Sequence, residues 1–201
     1  MVAHLLAEGF ALQPFYVRCG LVWEQDELAA LKSFLQAIAG PGLLELRIFE
    51  LPLGDLYGSH WSLDGVGTPD ARSPDQAVYL PGRNLLLSIK PAIWCGLNGI
   101  KRLALATLAE NPFADATTEF FQDFQRMLER TTAAKLTIFR PFAHLRKADV
   151  LFRGRHLPLE LTFSCIAPID GMHCGQCNKC AERRKAFQYL KLTDPTAYFH
   201  S

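Results

Sequence analysis

The sequence predicts an α/β fold: a doubly wound, mostly parallel sheet followed by a small C-terminal cysteine module. Three observations carry this. Strand-like and helix-like segments alternate along most of the 201 residues, as parallel sheets with crossover helices require. The segments are separated by short Gly/Pro turns. Four of the six cysteines then crowd into residues 165–180.

Residues 1–8 read as a helix with Leu5 and Leu6 on its apolar side, stopped by Gly9. Residues 11–19 hold a short strand rich in aromatic and β-branched side chains (LQPFYVRC). An amphipathic helix follows over 23–39, with Leu28, Leu31, Leu35 and Ile38 on one face and Gly40-Pro41-Gly42 as its end. The alternation in LLELRIFEL (43–51) predicts a strand. Residues 53–78 read as a long loop, a length more typical of lids and partner surfaces than of simple connections. A turn at 79–84 opens an apolar helix over 85–95, and KRLALATL (101–108) reads as a buried strand. The loop 110–117 leads to a helix over 118–130 whose Phe120, Phe121, Phe124 and Leu128 stripe predicts core rather than a stacking platform. A strand at 135–139, a short helix at 145–152, an extended stretch at 158–162 and a helix at 178–189 complete the pattern.

Composition excludes several classes. Hydrophobic residues make up 49% and charged residues 20%, an ordinary globular balance that excludes a disordered or low-complexity chain. The net charge of +1 argues against direct nucleic-acid binding through bulk charge. Lys90 breaks the longest apolar run, so no membrane span is expected. The opening MVAHLLAEGF has neither a basic stretch nor a cleavage site, and the expected compartment is the cytoplasm.

Cys165, Cys174, Cys177 and Cys180 have the spacing C-x8-C-x2-C-x2-C. Four thiolates make a closed tetrahedral shell that suits structural Zn²⁺, and Gly171 and Gly175 supply turn freedom. An iron–sulfur cluster is the chemical competitor, and disulfides or buried free thiols are the plain alternative. His173 reads as a bystander, and Cys19 and Cys95 as buried small residues.

Arg83 and Asn84, at a helix start, could hold a phosphate or carboxylate; the plain alternative is a turn with Asn84 as N-cap. Arg140, His144, Arg146 and Lys147 follow a strand end, where α/β sheets bind anions, or form a solvated basic face. Asp115 is a site candidate or the N-terminal cap of the helix at 118. Arg183, Arg184 and Lys185 read as a solvated helix face or an RNA contact. No G-x-x-x-x-G-K-[ST] or G-x-G-x-x-G motif occurs.

VYLPGRNLLLS (78–88), LRKADVLFRGRHLPLELTFSC (145–165) and HCGQCNKCAERRKAF (173–187) together resemble the 7-cyano-7-deazaguanine synthase family of queuosine biosynthesis. The resemblance implies an adenine-nucleotide alpha-hydrolase type of fold with structural zinc, often as a homodimer. It implies a cytoplasmic carbon–nitrogen ligase that uses ATP with Mg²⁺ and ammonia to turn 7-carboxy-7-deazaguanine into its nitrile. Arg83, Asn84, Asp115, Lys147 and Arg183 are then the expected substrate-binding positions, and the four cysteines the metal ligands. Residues 1–163 form the expected nucleotide-binding-type domain, with the zinc module at 164–201 packed on it.

Two departures from the family pattern shape the alternatives. The resemblance places a strand and a Ser-Gly-Gly-x-Asp-Ser phosphate loop ahead of the first helix, where this sequence opens. The chain as given is therefore expected to be a poor catalyst. The family's Tyr-Pro-Asp-Cys-Arg element stands here as Phe113-Ala114-Asp115-Ala116-Thr117, which opens the question of substrate. The alternatives are another ATP pyrophosphatase that adenylates a different substrate, and a non-catalytic, zinc-stabilised binding protein.

Overall fold

In the computed structural model, which describes residues 1–132 and 135–200, α1 (Val2–Ala7) leads into β1 (Phe15–Arg18). Strand β2 (Arg47–Glu50) pairs with β1 in parallel, with Phe15 opposite Arg47 and Arg18 opposite Glu50. A parallel pair needs a crossover, and α2 (Glu24–Ala37) supplies it. The apolar face of α2 lies where periodicity placed it: Leu35 is buried and Leu28 and Leu31 are half-buried, while Lys32, Ser33 and Gln36 are exposed. Glu24, the first residue of α2, is buried. Its Oε2 accepts from the Cys19 and Gly20 amides (2.5 and 2.8 Å), and its Oε1 pairs with Arg18 Nε at 2.9 Å. One carboxylate thus fastens the strand-to-helix turn. Trp23 stacks on Trp61 at 5.8 Å, and Leu5, Val17, Cys19 and Leu53 complete this core.

The stretch expected as a 53–78 loop is built: α3 (Gly54–Tyr57), α4 (Trp61–Asp64) and a 3-10 turn (Asp75–Val78) occupy it. Four-residue helices carry too little periodicity to be read from sequence.

Within residues 79–146, α5 (Arg83–Leu97) runs through Pro91 and buries Ser88, Ala92 and Cys95. Gly82, at φ 70°, occupies the N-cap position, so the expectation of Asn84 as N-cap is corrected. Strand β3 (Arg102–Ala104) pairs in parallel with β4 (Thr137–Phe139), and α6 (Thr118–Thr132) lies between them in sequence. Phe121, Phe124 and Leu128 of α6 are buried as core. Gln125 on α6 accepts from the Ile138 amide at 2.9 Å and so fixes β4.

Residues 147–200 supply α7 (Lys147–Arg153), a 3-10 turn at Leu159–Leu161 where an extended stretch was expected, and α8 (Asn178–Leu190). Pro158 opens that turn, and three sequential residues bond locally rather than to a strand.

The fold is α/β with parallel strands; among the described residues they form two two-stranded ladders, and the single doubly wound sheet expected is not seen. Among the described residues the continuous ladders are three or four residues long, with one further parallel bridge between Leu12 and Leu43. The chain divides into Val2–Val78 with Lys147–Ser201, and Tyr79–Arg146 with Met1. The cysteine segment joins the first stretch by hydrogen bonds: the Ala71 amide donates to Gln176, and the Asn178 amide to Pro69. Among the described residues, no helix is long and apolar enough to cross a membrane.

Candidate metal centre and substrate residues

The four cysteines meet. All are buried, and their Sγ atoms lie within 4.8 Å of one another. Cys165 and Cys177 are 3.8 Å apart, and Cys174 and Cys180 3.9 Å. A tetrahedron with metal–sulfur bonds of ~2.3 Å has edges of roughly 3.8 Å, so the donor set fits one ion of zinc's size. Local structure explains the convergence. Asp170 and Gly171, both at positive φ, turn the chain back through an Ile169–Met172 bridge toward Cys174. Cys177 is the N-cap of α8 and Cys180 lies in its first turn, where the helix dipole favours thiolate. Amides of Ala167 and Cys174 donate to Cys165 Sγ (3.4 and 3.3 Å), and those of Gln176 and Cys177 to Cys174 Sγ (both 3.3 Å).

Four sulfurs this close cannot all be anionic without a cation. Donation from Cys165 and Cys180 holds Cys177 far below the usual thiol range, while the Cys165 thiol, donating to its neighbours, is driven far up. A bound cation removes that conflict and lets all four ionise.

His173 takes no part. Its Nε2 accepts from the Ser164 amide (3.1 Å), the ring packs on Phe163 at 4.6 Å, and burial lowers its pKa to about 4. Its neighbour chain is closed by the C-terminal segment: the Phe199 amide donates to His173 O and the His200 amide to Cys174 O. Arg184 donates to both Gly175 O and His200 O (3.0 and 2.8 Å) over the Tyr198 ring.

The expected substrate positions divide. Asn84 and Asp115 come together: Asp115 Oδ2 accepts from the Asn84 amide at 2.9 Å, and Oδ1 from Asn84 Nδ2 at 3.2 Å. Asp115 is buried, and it caps α5 rather than α6, which corrects the capping alternative. Arg83 sits at the first position of α5, beside this pair.

Lys147 lies in the other unit. Its Nζ pairs with Glu182 at 3.0 Å, and Glu182 also takes Lys179 at 2.7 Å, tying α7 to α8. Burial lowers the Lys147 pKa, against the pull of Glu182. Arg183 is not on a solvated face. It is buried, and Nε, Nη1 and Nη2 donate to Thr196 Oγ1, Thr162 Oγ1 and Leu159 O at 2.6, 2.9 and 2.8 Å. In this structure it braces the 159–162 turn. Arg140 is no solvated cation either: it donates to Ala116 O and Thr118 Oγ1 (3.0 and 2.7 Å). Sequence reading gave Glu182 and Glu24 no role; the i,i+3 charge pair of Lys179 and Glu182 was the available signal for the first.

A family model described as "Queuosine biosynthesis protein QueC" matches residues 28–191. The chain is 31% identical over 189 residues to a 7-cyano-7-deazaguanine synthase of Thiobacillus denitrificans, covering 89% of this chain and 84% of that protein. It is 30% identical over 184 residues to the synthase of an Azoarcus species, covering 86% and 79%. It is 35% identical over 125 residues to that of Methanothermobacter thermautotrophicus, covering 60% and 56%.

Proposed function

The chain belongs to the queuosine biosynthesis protein QueC family, and from this premise we propose that it converts 7-carboxy-7-deazaguanine and ammonia into 7-cyano-7-deazaguanine with ATP. The observation that carries the reading is the family match over residues 28–191, which includes the Pro-Gly-Arg-Asn turn and all four clustered cysteines. The fold that comes with it is the adenine-nucleotide alpha-hydrolase type of α/β architecture, acting in the cytoplasm, with a homodimer as the working assembly.

The chemistry is two activations of one carbon substituent. The carboxylate oxygen attacks the α-phosphorus of ATP and pyrophosphate leaves; ammonia nitrogen then attacks the carbonyl carbon, the C–O bond to the adenylate breaks, AMP leaves, and a proton is lost to give the amide. A second activation on the amide oxygen lets that oxygen depart with its phosphate and the two N–H protons depart as well, which leaves the nitrile. On this reading Arg83 and Asn84, at the positive end of α5, hold the anionic substituent, and Asp115 sets their place. Lys147, half-buried and paired with Glu182, and Arg183, buried on α8, are the further positions that the family resemblance assigns to substrate. ATP enters with Mg²⁺. The cysteine cluster holds Zn²⁺, which supplies a cross-link and no reactive position, because four thiolates close its coordination.

The test is turnover of 7-carboxy-7-deazaguanine with MgATP and ammonia, followed by chromatography of the nitrile and of the spent nucleotide, on protein assayed for metal. The expected result is slow nitrile formation that requires all three reactants, from protein carrying about one zinc per chain. Nucleotide turnover that ignores the deazaguanine would move the reading to another acceptor. Protein that neither makes nitrile nor turns over nucleotide would favour a zinc-stabilised binding protein.

A further inference from the structure

The turn that carries Arg83 and Asn84 is tethered to the 113–118 segment at three points. Asp115 takes the Asn84 amide and the Asn84 side chain, and the Tyr79 and Phe113 rings meet at 5.0 Å. The regular part of the 113–118 segment is a single 3-10 turn, Ala114–Ala116. Arg140, the residue after β4, holds it. Its guanidinium donates to Ala116 O at 3.0 Å and Thr118 Oγ1 at 2.7 Å, and lies over the Phe121 ring at 4.9 Å from its centroid. A planar fork on two acceptors fixes orientation as well as distance. The path runs from the end of a strand, through a buried carboxylate, to the first amides of a helix, all inside Tyr79–Arg146.

We propose that Arg140 is a positioning residue for the anion-binding turn at 82–84, acting through the 113–118 segment and Asp115. The activity arm of the test rests on the synthase reading; the exchange arm rests on geometry alone. Kinetics are compared for the wild-type chain, Arg140→Ala, Arg140→Lys, Asp115→Asn and the double variant Arg140→Ala with Asp115→Asn. Arg140→Ala is expected to raise KM for 7-carboxy-7-deazaguanine roughly tenfold while kcat stays within about twofold and KM for ATP is unchanged. Arg140→Lys, able to reach one acceptor, falls between. The double variant loses less than the product of its two singles, because both act through one tether. An unchanged KM in Arg140→Ala, a shift confined to ATP, or effects that multiply independently overturns the proposal. If Arg140→Ala does not fold, Thr118→Val, which removes one of the two acceptors, must shift KM in the same direction by a smaller factor. Hydrogen exchange over residues 79–88 is read in the same proteins. Faster exchange in both the Arg140 and Asp115 variants supports the path, and unchanged exchange overturns it. If the wild-type chain turns over no substrate, the synthase reading falls and the exchange result decides the positioning role.

Discussion

A Cβ on Gly175 would sit 2.1 Å from the His200 carbonyl oxygen, at a φ of +83° that other residues rarely adopt. Gly171 has a similar φ of +76°, but its Cβ would meet only Asp26 Oδ1, at an ordinary 3.7 Å. Comparing the two separates backbone strain from collision. Gly171→Ala should cost about 1 kcal/mol, and Gly175→Ala at least about 2 kcal/mol, because the closing segment must also move. At about 2–4 °C per kcal/mol for a chain of this size, calorimetry resolves the difference. Equal losses would mean that the 198–200 closure does not hold the cysteine turn.

Cys95 makes a second residue-scale prediction. Burial pushes its thiol up to about 11 from 9.0. Between those values the unfolded chain releases a proton that the native chain retains, so its contribution to stability is complete below pH 9 and is lost as pH rises toward 11. Denaturant titrations should show wild type losing more stability than Cys95→Ala across that window, by up to about 2 kcal/mol. Parallel profiles would place Cys95 in contact with solvent.

At the scale of elements, α8 joins two roles: it carries two of the clustered cysteines in and before its first turn, and Arg183 and Glu182 on its body. Cys177→Ser tests the metal without confusing it with capping, since serine is itself a favoured N-cap. The expected outcome is loss of the ~1 zinc per chain and of helical signal, because a structural metal's binding energy is folding energy. Retained zinc at full occupancy would show that three thiolates suffice. Much of this element was legible: C-x2-C-x2-C is a local pattern, and so are the stripes of α2 and α6, because ligands and core residues repeat within a few positions. Arg183 was not legible. Its hydrogen-bond acceptors lie 13 to 24 residues away, on turns whose shape no periodicity encodes, so a charge beside other charges looked solvated. The capping role of Asp115 was hidden for the same reason: it takes the Asn84 amide, 31 residues earlier, while a nearer helix offered a plausible local cap. The single sheet also over-reached, because alternation marks strand-like residues but not which of them find a partner.

For the whole molecule, metal removal should act unevenly. The cysteine segment is bonded to residues 69–75, so chelation should speed hydrogen exchange in Val2–Val78 and Lys147–Ser201 before Tyr79–Arg146. Uniform acceleration would make the two units one cooperative body. The same connectivity bears on the time order of synthesis. Asn178 donates to Ser73 O across 105 residues, so the early half of that unit leaves the ribosome long before its other half exists. At about 5–20 residues per second the wait is roughly 5–20 s. Tyr79–Arg146 is an almost unbroken stretch and is complete in the meantime. The hydrogen bonds of residues 69–75 to the cysteine segment therefore form only after residues 147–178 have been made. That makes the joining of these two stretches a late event, with the closely spaced thiols among the last groups to be placed.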